Sequence, residues 1–477
     1  MNSAWQRISL WIFTVLLLAS AGVAAPSPDS LWAGFATADI TPPLGTDLCG
    51  YGYYTDRKAT EVRDHLLARA VVLESAGKRI AIVGTDLVAV TLQQTEEVRK
   101  EVAKVTGIPG SDIMVTATHT HSGPATITCI SCGENDPKYL STLPSKIAQA
   151  VILASAKLQP VTVSFGEGRV EGVAMNREYD GGPIDEKVRV LKFMHGSQVV
   201  GFIAHYTVHP VVLGPDSHLI TGDLVEEAED KVVRDYPGAV AVFLQGAAGD
   251  INPVVCSLPP KEGVAKLEEL SGLLAGGIRE ALKSTSPLNV SPVAMEAREV
   301  RLPRVVPDRA LVVLRLDDAE RWLKRTDLPD DFRREIRFQK ESALAVLDRF
   351  DHPPLTETVS EIQVARLGEM LIVGCPGELF FALGQQTASL LPGFKVLVTA
   401  YADDYIDYFP TPDRYDLTGL GTGWATTRDQ QAKYSYDYAA YYDPWFLGQF
   451  HLRSDVGDVL VQAMVKLARD VGEVNKP

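Results

Sequence analysis

The amino-acid sequence predicts an α/β fold, with a mixed β-sheet core, flanking helices and an active site at the strand ends. Short apolar or β-branched runs alternate along the chain with longer segments of helical character. Such runs suit strands that are covered on both faces, and their alternation with helices is typical of α/β proteins. The composition, 46% hydrophobic and 22% charged, is that of an ordinary globular protein.

Six runs predict strands, because each is short, apolar and bounded by polar or turn-forming residues. They are Arg79–Val83, Ile113–Ala117, Val188–Phe193, Ala239–Leu244, Met370–Gly374 and Lys395–Thr399.

Five segments carry residues at helical spacing. The first ends before Gly107, and Pro144 stands at the first position of the second, as these residue types commonly do. The predicted helices are Thr95–Val105, Ser145–Lys157, Val225–Arg234, Lys261–Lys283 and the amphipathic Ser454–Val471.

The N-terminus reads as a leader followed by one large domain. Arg7 precedes the apolar run Leu10–Leu18, which is too short for a comfortable membrane span, and small residues follow it. We therefore predict a signal peptide over residues 1–24 and a secreted or periplasmic protein; an uncleaved anchor is the alternative. Residues 26–477 are predicted to form a single catalytic domain, with 307–351, rich in charge and helix formers, as a helical insertion or lid.

The charge balance restricts the partners of the chain. A net charge of −15 argues against nucleic acid and against electrostatic docking on anionic lipid. A small molecule or a neutral lipid remains compatible, with peripheral membrane contact, and no protein partner is evident.

The five cysteines leave two interpretations open. Cys129 and Cys132 lie in a loop where they could form a local disulfide or remain free thiols. A metal knuckle is disfavoured because the chain has no second Cys-x-x-Cys.

The sharpest motif is His119-Thr120-His121, directly after a predicted strand. Alternate residues of an extended segment share a face, so both imidazoles can point into one pocket. The edge formed by strand ends is where α/β folds place their sites. Two polar loop histidines without a ligand remain the plain alternative.

Further polar groups follow other predicted strands, and each also has an ordinary structural explanation. His209 could be a core histidine, and Asp223 and Asp250 could cap turns. Glu378 could simply complement the dipole of the helix that follows it. The segment Tyr401–Tyr442 is dense in tyrosine, aspartate and glycine and is typical of a binding loop. Two or three histidines with one carboxylate are the usual ligands of a catalytic zinc site, which keeps one position open for water.

These motifs, in this order, resemble the neutral/alkaline ceramidase family, and the resemblance extends over most of the chain after the leader. It is carried by the following segments: Phe35-Ala36-Thr37-Ala38-Asp39-Ile40-Thr41-Pro42, Gly50-Tyr51-Gly52, His119-Thr120-His121-Ser122-Gly123-Pro124, Asn176-Arg177, Val208-His209, Gly222-Asp223, Gly249-Asp250 with Pro253, Pro376-Gly377-Glu378, and Tyr408.

The resemblance implies a role for each matched residue. It implies one zinc ion per chain, bound by His119, His209, Glu378 and Tyr408, the last chosen over Tyr405 by the register of the motif. It further implies that His121 is an acid/base residue or supports the ligands, and that Arg177 contacts the substrate or its oxyanion.

Two departures from the family pattern stand out. Asn252 occupies the position at which the family has a serine, which closes a serine acyl-enzyme route there. Metal-activated water remains available, and the Asn252 amide could donate a hydrogen bond to a developing oxyanion. We also expect the chain to lack the C-terminal immunoglobulin-like domain of the larger ceramidases.

The resemblance therefore implies a zinc-dependent amidohydrolase that acts on an N-acyl, ceramide-like lipid. A zinc hydrolase of a more polar amide or ester is an alternative that Asn252 supports. A non-catalytic binding protein on the same scaffold is a second alternative. A metal-free serine hydrolase is disfavoured because no Gly-x-Ser-x-Gly elbow is apparent.

Overall fold

Two β-sheets packed face to face, with helices on their outer sides, form the body of the molecule. The computed structural model describes residues 31–52, 54, 56–128, 132–178, 180–352, 356–414 and 452–473. The predicted α/β fold with a mixed sheet and flanking helices is confirmed.

The strands within the described residues are β1 (Leu31–Asp39), β2 (Glu61–Val62), β3 (Leu67–Ser75), β4 (Lys78–Thr85), β5 (Ile113–Ala117), β6 (Gln159–Arg169), β7 (Ala174–Asn176), β8 (Lys187–His195), β9 (Gln198–Tyr206), β10 (Leu219–Ile220), β11 (Val240–Gln245), β12 (Ile251–Pro253), β13 (Thr285–Pro287), β14 (Val293–Pro303), β15 (Glu357–Leu367), β16 (Met370–Gly374), β17 (Glu378–Leu379), β18 (Lys395–Thr399) and β19 (Tyr408–Phe409).

The helices within the same residues are α1 (Leu92–Thr106), α2 (Pro137–Leu140), α3 (Leu143–Ser155), α4 (Asp223–Val233), α5 (Pro260–Lys283), α6 (Arg309–Leu323), α7 (Asp330–Phe350), α8 (Phe381–Ser389) and α9 (Val456–Glu473). In this part of the chain no helix is long and apolar enough to cross a membrane.

The larger sheet is mixed. Its strand order is β11-β9-β8-β6-β1-β3-β4-β5, with β13 added beside β6. The pairs at its two ends, β11 with β9 and β4 with β5, are parallel, and the pairs between them are antiparallel. Each edge strand is therefore parallel to its neighbour, so the loops that follow the two strands begin at the same edge of the sheet.

The smaller sheet has the order β14-β15-β16-β18, and its last pair, β16 with β18, is parallel. One buried cluster joins the inner faces of both sheets, with Val71 and Ile82 from the larger and Met295, Ile372 and Leu397 from the smaller. The two sheets thus share an interior of apolar side chains, which fixes their relative position.

Helices cover the outer faces of the two sheets. Helix α3 packs on β1 and β3 with α1 beside it, and α4 and α5 pack on β11, β8 and β6. Helices α8 and α9 lie on the smaller sheet, with Leu460 and Met464 of α9 in the same buried cluster as Val364.

The segment predicted as a helical insertion contains α6 and α7, which contact each other and enclose a small cluster of their own. It leaves the smaller sheet after β14 and returns into β15, the strand paired with β14. The boundaries of the leader and the division into one domain stay predictions. The predicted leader lies outside the described part of the chain, as do Cys129 and most of the predicted binding loop (residues 1–30, 129 and 415–451). The pairing of Cys129 with Cys132 therefore stays a prediction.

Candidate metal centre

The candidate site lies where the ends of strands from both sheets meet. His119 and His121 follow β5, and His209 follows β9. Glu378 opens the short strand β17 just after β16, and Tyr401 comes two residues after β18. The backbone connects these ends directly, because the Ala117 amide donates to the Tyr401 carbonyl and β17 pairs with β19.

Three imidazoles converge at this point. His119, His121 and His209 each offer a ring nitrogen, and these nitrogens all lie within 4.8 Å of one another. His119 and His209 are almost wholly buried. The sequence predictions that His119 and His121 share a pocket, and that His209 joins them, agree with this geometry.

Backbone carbonyls fix the orientation of two of the rings. The Nδ1 of His119 lies 2.6 Å from the Val88 carbonyl oxygen, and the Nδ1 of His209 lies 3.2 Å from that of Ile251. Each Nδ1 therefore carries the ring proton, which leaves both Nε2 atoms as acceptors that face inward. This is the usual arrangement of metal-binding histidines.

Glu378 faces both of these Nε2 atoms. Its carboxylate oxygens lie 3.4 Å from the Nε2 of His119 and 3.0 Å from that of His209. With both rings protonated at Nδ1, the inward-facing atoms are all electron-pair donors, and a cation is the natural complement of such a set.

Two tyrosines support Glu378. The Tyr405 hydroxyl donates to Glu378 Oε1 at 2.6 Å, and the Tyr401 hydroxyl donates to Oε2 at 3.3 Å. The Tyr401 ring also stacks on His119, with centroids 4.2 Å apart and planes 20° apart. Burial and the nearby carboxylate raise the pKa of Tyr401 well above its usual value, so its hydroxyl keeps its proton.

Tyr408, the predicted fourth ligand, lies beside Glu378 in the β17–β19 pair. The guanidinium carbon of Arg177 lies over the Tyr408 ring, 5.3 Å from the ring centroid. The choice of Tyr408 over Tyr405 as metal ligand stays a prediction.

His121 occupies the open side of the histidine group. Its Nε2 lies 3.1 Å from the Nε2 of His119, and its ring meets the Tyr51 ring edge-on at 5.1 Å between centroids. A side chain on Gly50 would collide with it, since a Cβ there would come within 2.3 Å of the ring. Burial, followed by the charges of the neighbouring imidazoles, lowers the pKa of His121 well below its usual value.

Arg177 and Asn252 stand on a two-stranded ribbon made of β7 and β12. The Arg177 amide donates to the Asp250 carbonyl, and its guanidinium donates to the Gly249 carbonyl. Asn252 is buried; within the described residues its Oδ1 has no hydrogen-bond partner, and its Nδ2 faces the Cys256 sulfur at 3.7 Å. The ribbon adjoins the histidines through Ile251, the residue before Asn252, whose carbonyl accepts from His209.

Other residues of the motifs turn out to be structural. The Asp250 carboxylate accepts from the Asn176 side chain and the Phe381 amide, and the Asp223 carboxylate accepts from the amides of Val212 and Leu213. His205 lies inside β9, with its Nε2 2.9 Å from the Val398 carbonyl oxygen. Among the described residues, Asp223, Asp250 and His205 are not part of the cluster formed by His119, His121 and His209.

Gln245, at the end of β11, is a positioning residue that the sequence did not single out. Its Nε2 donates to the carbonyls of Thr118 and Val208, both at 2.8 Å, and its Oε1 accepts from the Val208 amide. It therefore joins the two segments that carry His119 and His209. Its place directly before Gly246-Ala247-Ala248-Gly249 was the available signal, but a buried glutamine at a strand end has many ordinary explanations.

His119 adopts a backbone conformation that is unusual for its residue type. Its φ is +70°, in the left-handed region, while its amide donates to the Leu87 carbonyl. Non-glycine residues in this region cost free energy and cluster at functional sites. The strain turns the imidazole from the direction of β5 toward Glu378.

Comparison with known proteins gives the same result as the motifs. Residues 32–263 match the family described as neutral/alkaline non-lysosomal ceramidase, N-terminal. The neutral ceramidase of Pseudomonas aeruginosa is 26% identical over 84% of this chain and 71% of its own length. That of Mycobacterium tuberculosis is 24% identical over 81% of this chain and 72% of its own.

The fold agrees as well. The crystal structure of the neutral ceramidase from Pseudomonas aeruginosa superposes with a TM-score of 0.67, covering 93% of this chain and 75% of that one at 21% identity. The chain is therefore similar in sequence and in fold to the neutral/alkaline non-lysosomal ceramidases, as its motifs predicted.

Proposed function

We propose that this protein is a zinc-dependent amidohydrolase that cleaves the amide bond of an N-acyl, ceramide-like lipid. The observation that carries the proposal is the convergence of three imidazole nitrogens within 4.8 Å, beside a buried carboxylate. The relatives named above are neutral ceramidases, which supports an amide of this class as the substrate.

The residues present fit a zinc ion. His119 and His209 offer oriented Nε2 atoms, Glu378 offers a carboxylate oxygen, and Tyr408 is the predicted phenol ligand. When bound, zinc supplies a Lewis acid and lowers the pKa of a coordinated water to about 7.

The chain itself supplies the remaining functions. His121 stands beside His119 on the open side of the group and is positioned to accept a proton from water and return it to the leaving amine. Arg177 and the Asn252 amide present donors that can stabilise the oxyanion of the attacked carbonyl. The nearly complete burial of His119, His209 and Glu378 keeps bulk water away and strengthens these interactions.

A polar amide or an ester is a second candidate substrate. It is favoured by Asn252, which places an amide where the family pattern has a serine and leaves its Oδ1 without a partner among the described residues. Such an atom could accept a hydrogen bond from a polar substrate group.

Metal analysis and hydrolysis assays on matched variants test the proposal. We expect His119→Ala and His209→Ala each to lose bound zinc and to reduce hydrolysis of N-acyl substrates at least a thousandfold, roughly the value of metal and general-acid catalysis together. His352→Ala, on the exposed end of α7, is the control and should keep both zinc and activity.

Full zinc content and activity in either ligand variant would refute the metal assignment. If the native protein binds zinc and hydrolyses esters but leaves all N-acyl amides intact, the substrate is instead the ester of the second candidate.

A further inference from the structure

The helical insertion carries a large share of the exposed apolar side chains. Of the eleven large hydrophobic residues that are exposed in the described part of the chain, four lie on α6 and α7. They are Leu311, Leu314, Trp322 and Leu344, which are 48%, 59%, 40% and 46% exposed. Apolar side chains that cluster on a surface mark a site of interaction with a protein, a ligand or a membrane.

Helix α6 has two apolar faces, and the contact with α7 uses one of them. Val312 and Ala319 are buried, and Val312 belongs to the cluster that α6 shares with α7. Leu311, Leu314 and Trp322 are spaced by three and eight residues, so they share a second stripe of the helix. This second stripe is the exposed one.

Trp322 lies at the C-terminal end of the exposed stripe, between an aromatic and a basic side chain. Its ring meets that of Phe332 edge-on, with centroids 5.6 Å apart. The guanidinium of Arg325 lies over the indole, 5.1 Å from the ring centroid. Indoles are enriched at the level of lipid headgroups, and a long basic side chain beside one can reach the lipid phosphates.

The charge of the insertion differs from that of the rest of the chain. Residues 307–351 contain ten Lys or Arg and eleven Asp or Glu, a net charge of −1, whereas the whole chain carries −15. On the exposed stripe itself, Asp318 forms an ion pair with Arg321 at 2.7 Å. The insertion can therefore approach a zwitterionic surface closely, while an anionic surface would repel the remainder of the chain.

Contacts connect the insertion to the loop that packs on the metal centre. The guanidinium of Arg334, on α7, lies over the Tyr54 ring, 4.9 Å from its centroid. Three residues earlier in the same loop, the Tyr51 ring meets the His121 ring edge-on at 5.1 Å between centroids. The insertion is thus one loop away from the open side of the histidine group.

We propose that α6 and α7 dock the protein on a zwitterionic lipid bilayer, with Leu311, Leu314 and Trp322 inserted at the level of the headgroups. The near-zero charge of the insertion and the paired indole and guanidinium favour this occupant over a charged protein surface. The purpose of such docking rests on the lipid substrate proposed above, because a lipid amide resides in a bilayer. The docking itself is measured without turnover.

The first test measures binding to phosphatidylcholine vesicles by flotation. Leu311→Gln/Leu314→Gln should weaken the binding about tenfold or more, because two apolar side chains no longer enter the bilayer. Leu153→Gln/Leu273→Gln is the matched control, since these leucines are exposed on α3 and α5, and it should bind as the native protein does. All variants share one N-terminus, so any contribution of the predicted leader is common to them.

The lipid composition provides a second prediction for the native protein. Vesicles in which phosphatidylglycerol replaces half of the phosphatidylcholine should bind more weakly at low salt, because the chain carries a net charge of −15. Added salt should reduce that difference, since it screens the repulsion.

The third test leaves both leucines in place. Vesicles of brominated phosphatidylcholine should quench the tryptophan fluorescence of the native protein, and Trp322→Phe should remove most of that quenching. Trp32→Phe, in β1, is the control and should leave the quenching unchanged. Circular dichroism and thermal unfolding verify that each variant is folded.

Turnover then links docking to the proposed function. Leu311→Gln/Leu314→Gln should lower kcat/KM about tenfold for a long-chain N-acyl substrate presented in phosphatidylcholine vesicles. The same variant should hydrolyse a water-soluble short-chain analogue as fast as the native protein, because the metal centre is untouched.

The outcomes separate the two proposals. Native-like vesicle binding by Leu311→Gln/Leu314→Gln, or tighter binding to the anionic vesicles, would overturn the docking surface. A native dimer that the same substitutions dissociate, as seen by light scattering, would also overturn it, because a second copy would then cover the stripe. Vesicle binding as expected, with no hydrolysis of any N-acyl substrate, would instead refute the proposed function and leave the docking surface supported.

Discussion

Main-chain carbonyls orient two histidines of the site, and a tyrosine hydroxyl orients its carboxylate. His119 and His209 are oriented by the carbonyls of Val88 and Ile251, and Glu378 is oriented by the hydroxyl of Tyr405. Each of these contacts fixes the direction of a lone pair, as the proposed zinc site requires.

Gln245 should matter for the site although it touches no reacting atom. Gln245→Leu removes three hydrogen bonds and leaves buried groups of Thr118 and Val208 without partners. We expect a loss of about 2–4 kcal/mol in the free energy of unfolding and a weaker affinity for zinc. Urea unfolding and metal titration measure both.

The exposed Gln93→Leu on α1 is the control for that substitution and should change neither quantity. An unaltered zinc affinity in Gln245→Leu would show that the two histidine segments hold their positions without it.

A matched pair of variants distinguishes the roles of two tyrosines. Tyr405→Phe removes the hydrogen bond that orients Glu378, and we expect it to weaken zinc binding by about 10–100-fold. Tyr408→Phe removes the predicted ligand and should weaken zinc binding more. Competition with a chelator measures both affinities, and normal affinity in Tyr408→Phe would transfer the ligand role away from that residue.

At the scale of elements, the sequence identified several of the strands that are buried on both faces, although it missed β3 and β9. Ile113–Ala117, Met370–Gly374 and Lys395–Thr399 agree with β5, β16 and β18, and they carry most of the site. A continuous apolar run marks such strands clearly. The helices α1, α3, α4, α5 and α9 were also predicted, each within about three residues at its ends.

Longer strands with mixed patterns were missed. β6 and β14 alternate buried and exposed residues along eleven positions and contain glycine or several charges, which hides them from a search for apolar runs. Their pairing depends on partners far away in the chain, and no local pattern reports that. For the same reason the histidine positions could be predicted, whereas the register of the tyrosine loop and the contacts of Gln245 could not.

A buried charged cluster joins β3, the end of β4 and α4. Arg69 pairs with Asp86 and lies 3.7 Å from Glu226 and 3.6 Å from Glu229. Both carboxylate oxygens of Glu229 lack a hydrogen-bond partner among the described residues. One guanidinium cannot balance three buried carboxylates, and burial raises the pKa of Glu229 from 4.5 to about 8.

This cluster predicts a particular dependence of stability on pH. A carboxyl whose pKa is raised by folding stabilises the native state fully below pH 4.5 and loses that contribution as the pH rises through about 8. Glu229→Gln stays neutral, so its unfolding free energy should fall less between pH 5 and pH 9 than that of the native protein. Urea unfolding at both values measures the difference.

Glu262→Gln, an exposed substitution on α5, should follow the native pH dependence and serves as the control. A native-like fall in Glu229→Gln would mean that the cluster does not hold a proton at this residue.

At the scale of the whole molecule, the site lies at the seam between the two sheets. The larger sheet supplies the histidines, and the smaller sheet supplies Glu378 and the tyrosines. Because the sheets are joined by a continuous aliphatic interior, the distance between the two halves of the ligand set is fixed by core packing.

The helical insertion should be dispensable for this architecture. β14 and β15 pair along their whole length, so Pro303 and Glu357 are already neighbours when α6 and α7 are removed. We expect a protein in which a short Gly/Ser turn replaces residues 306–354 to fold and to bind zinc in the native ratio. Circular dichroism, thermal unfolding and metal analysis compare it with the complete chain, and an aggregated or zinc-free product would contradict the expectation.

The left-handed backbone of His119 indicates that this position is occupied for its side chain. Glycine would adopt the same φ with roughly 1 kcal/mol less strain, but it would leave the Val88 carbonyl and the Tyr401 ring without the buried imidazole that contacts them. In an alignment of homologous sequences, glycine at this place should therefore mark proteins that have lost both the imidazole and part of their stability.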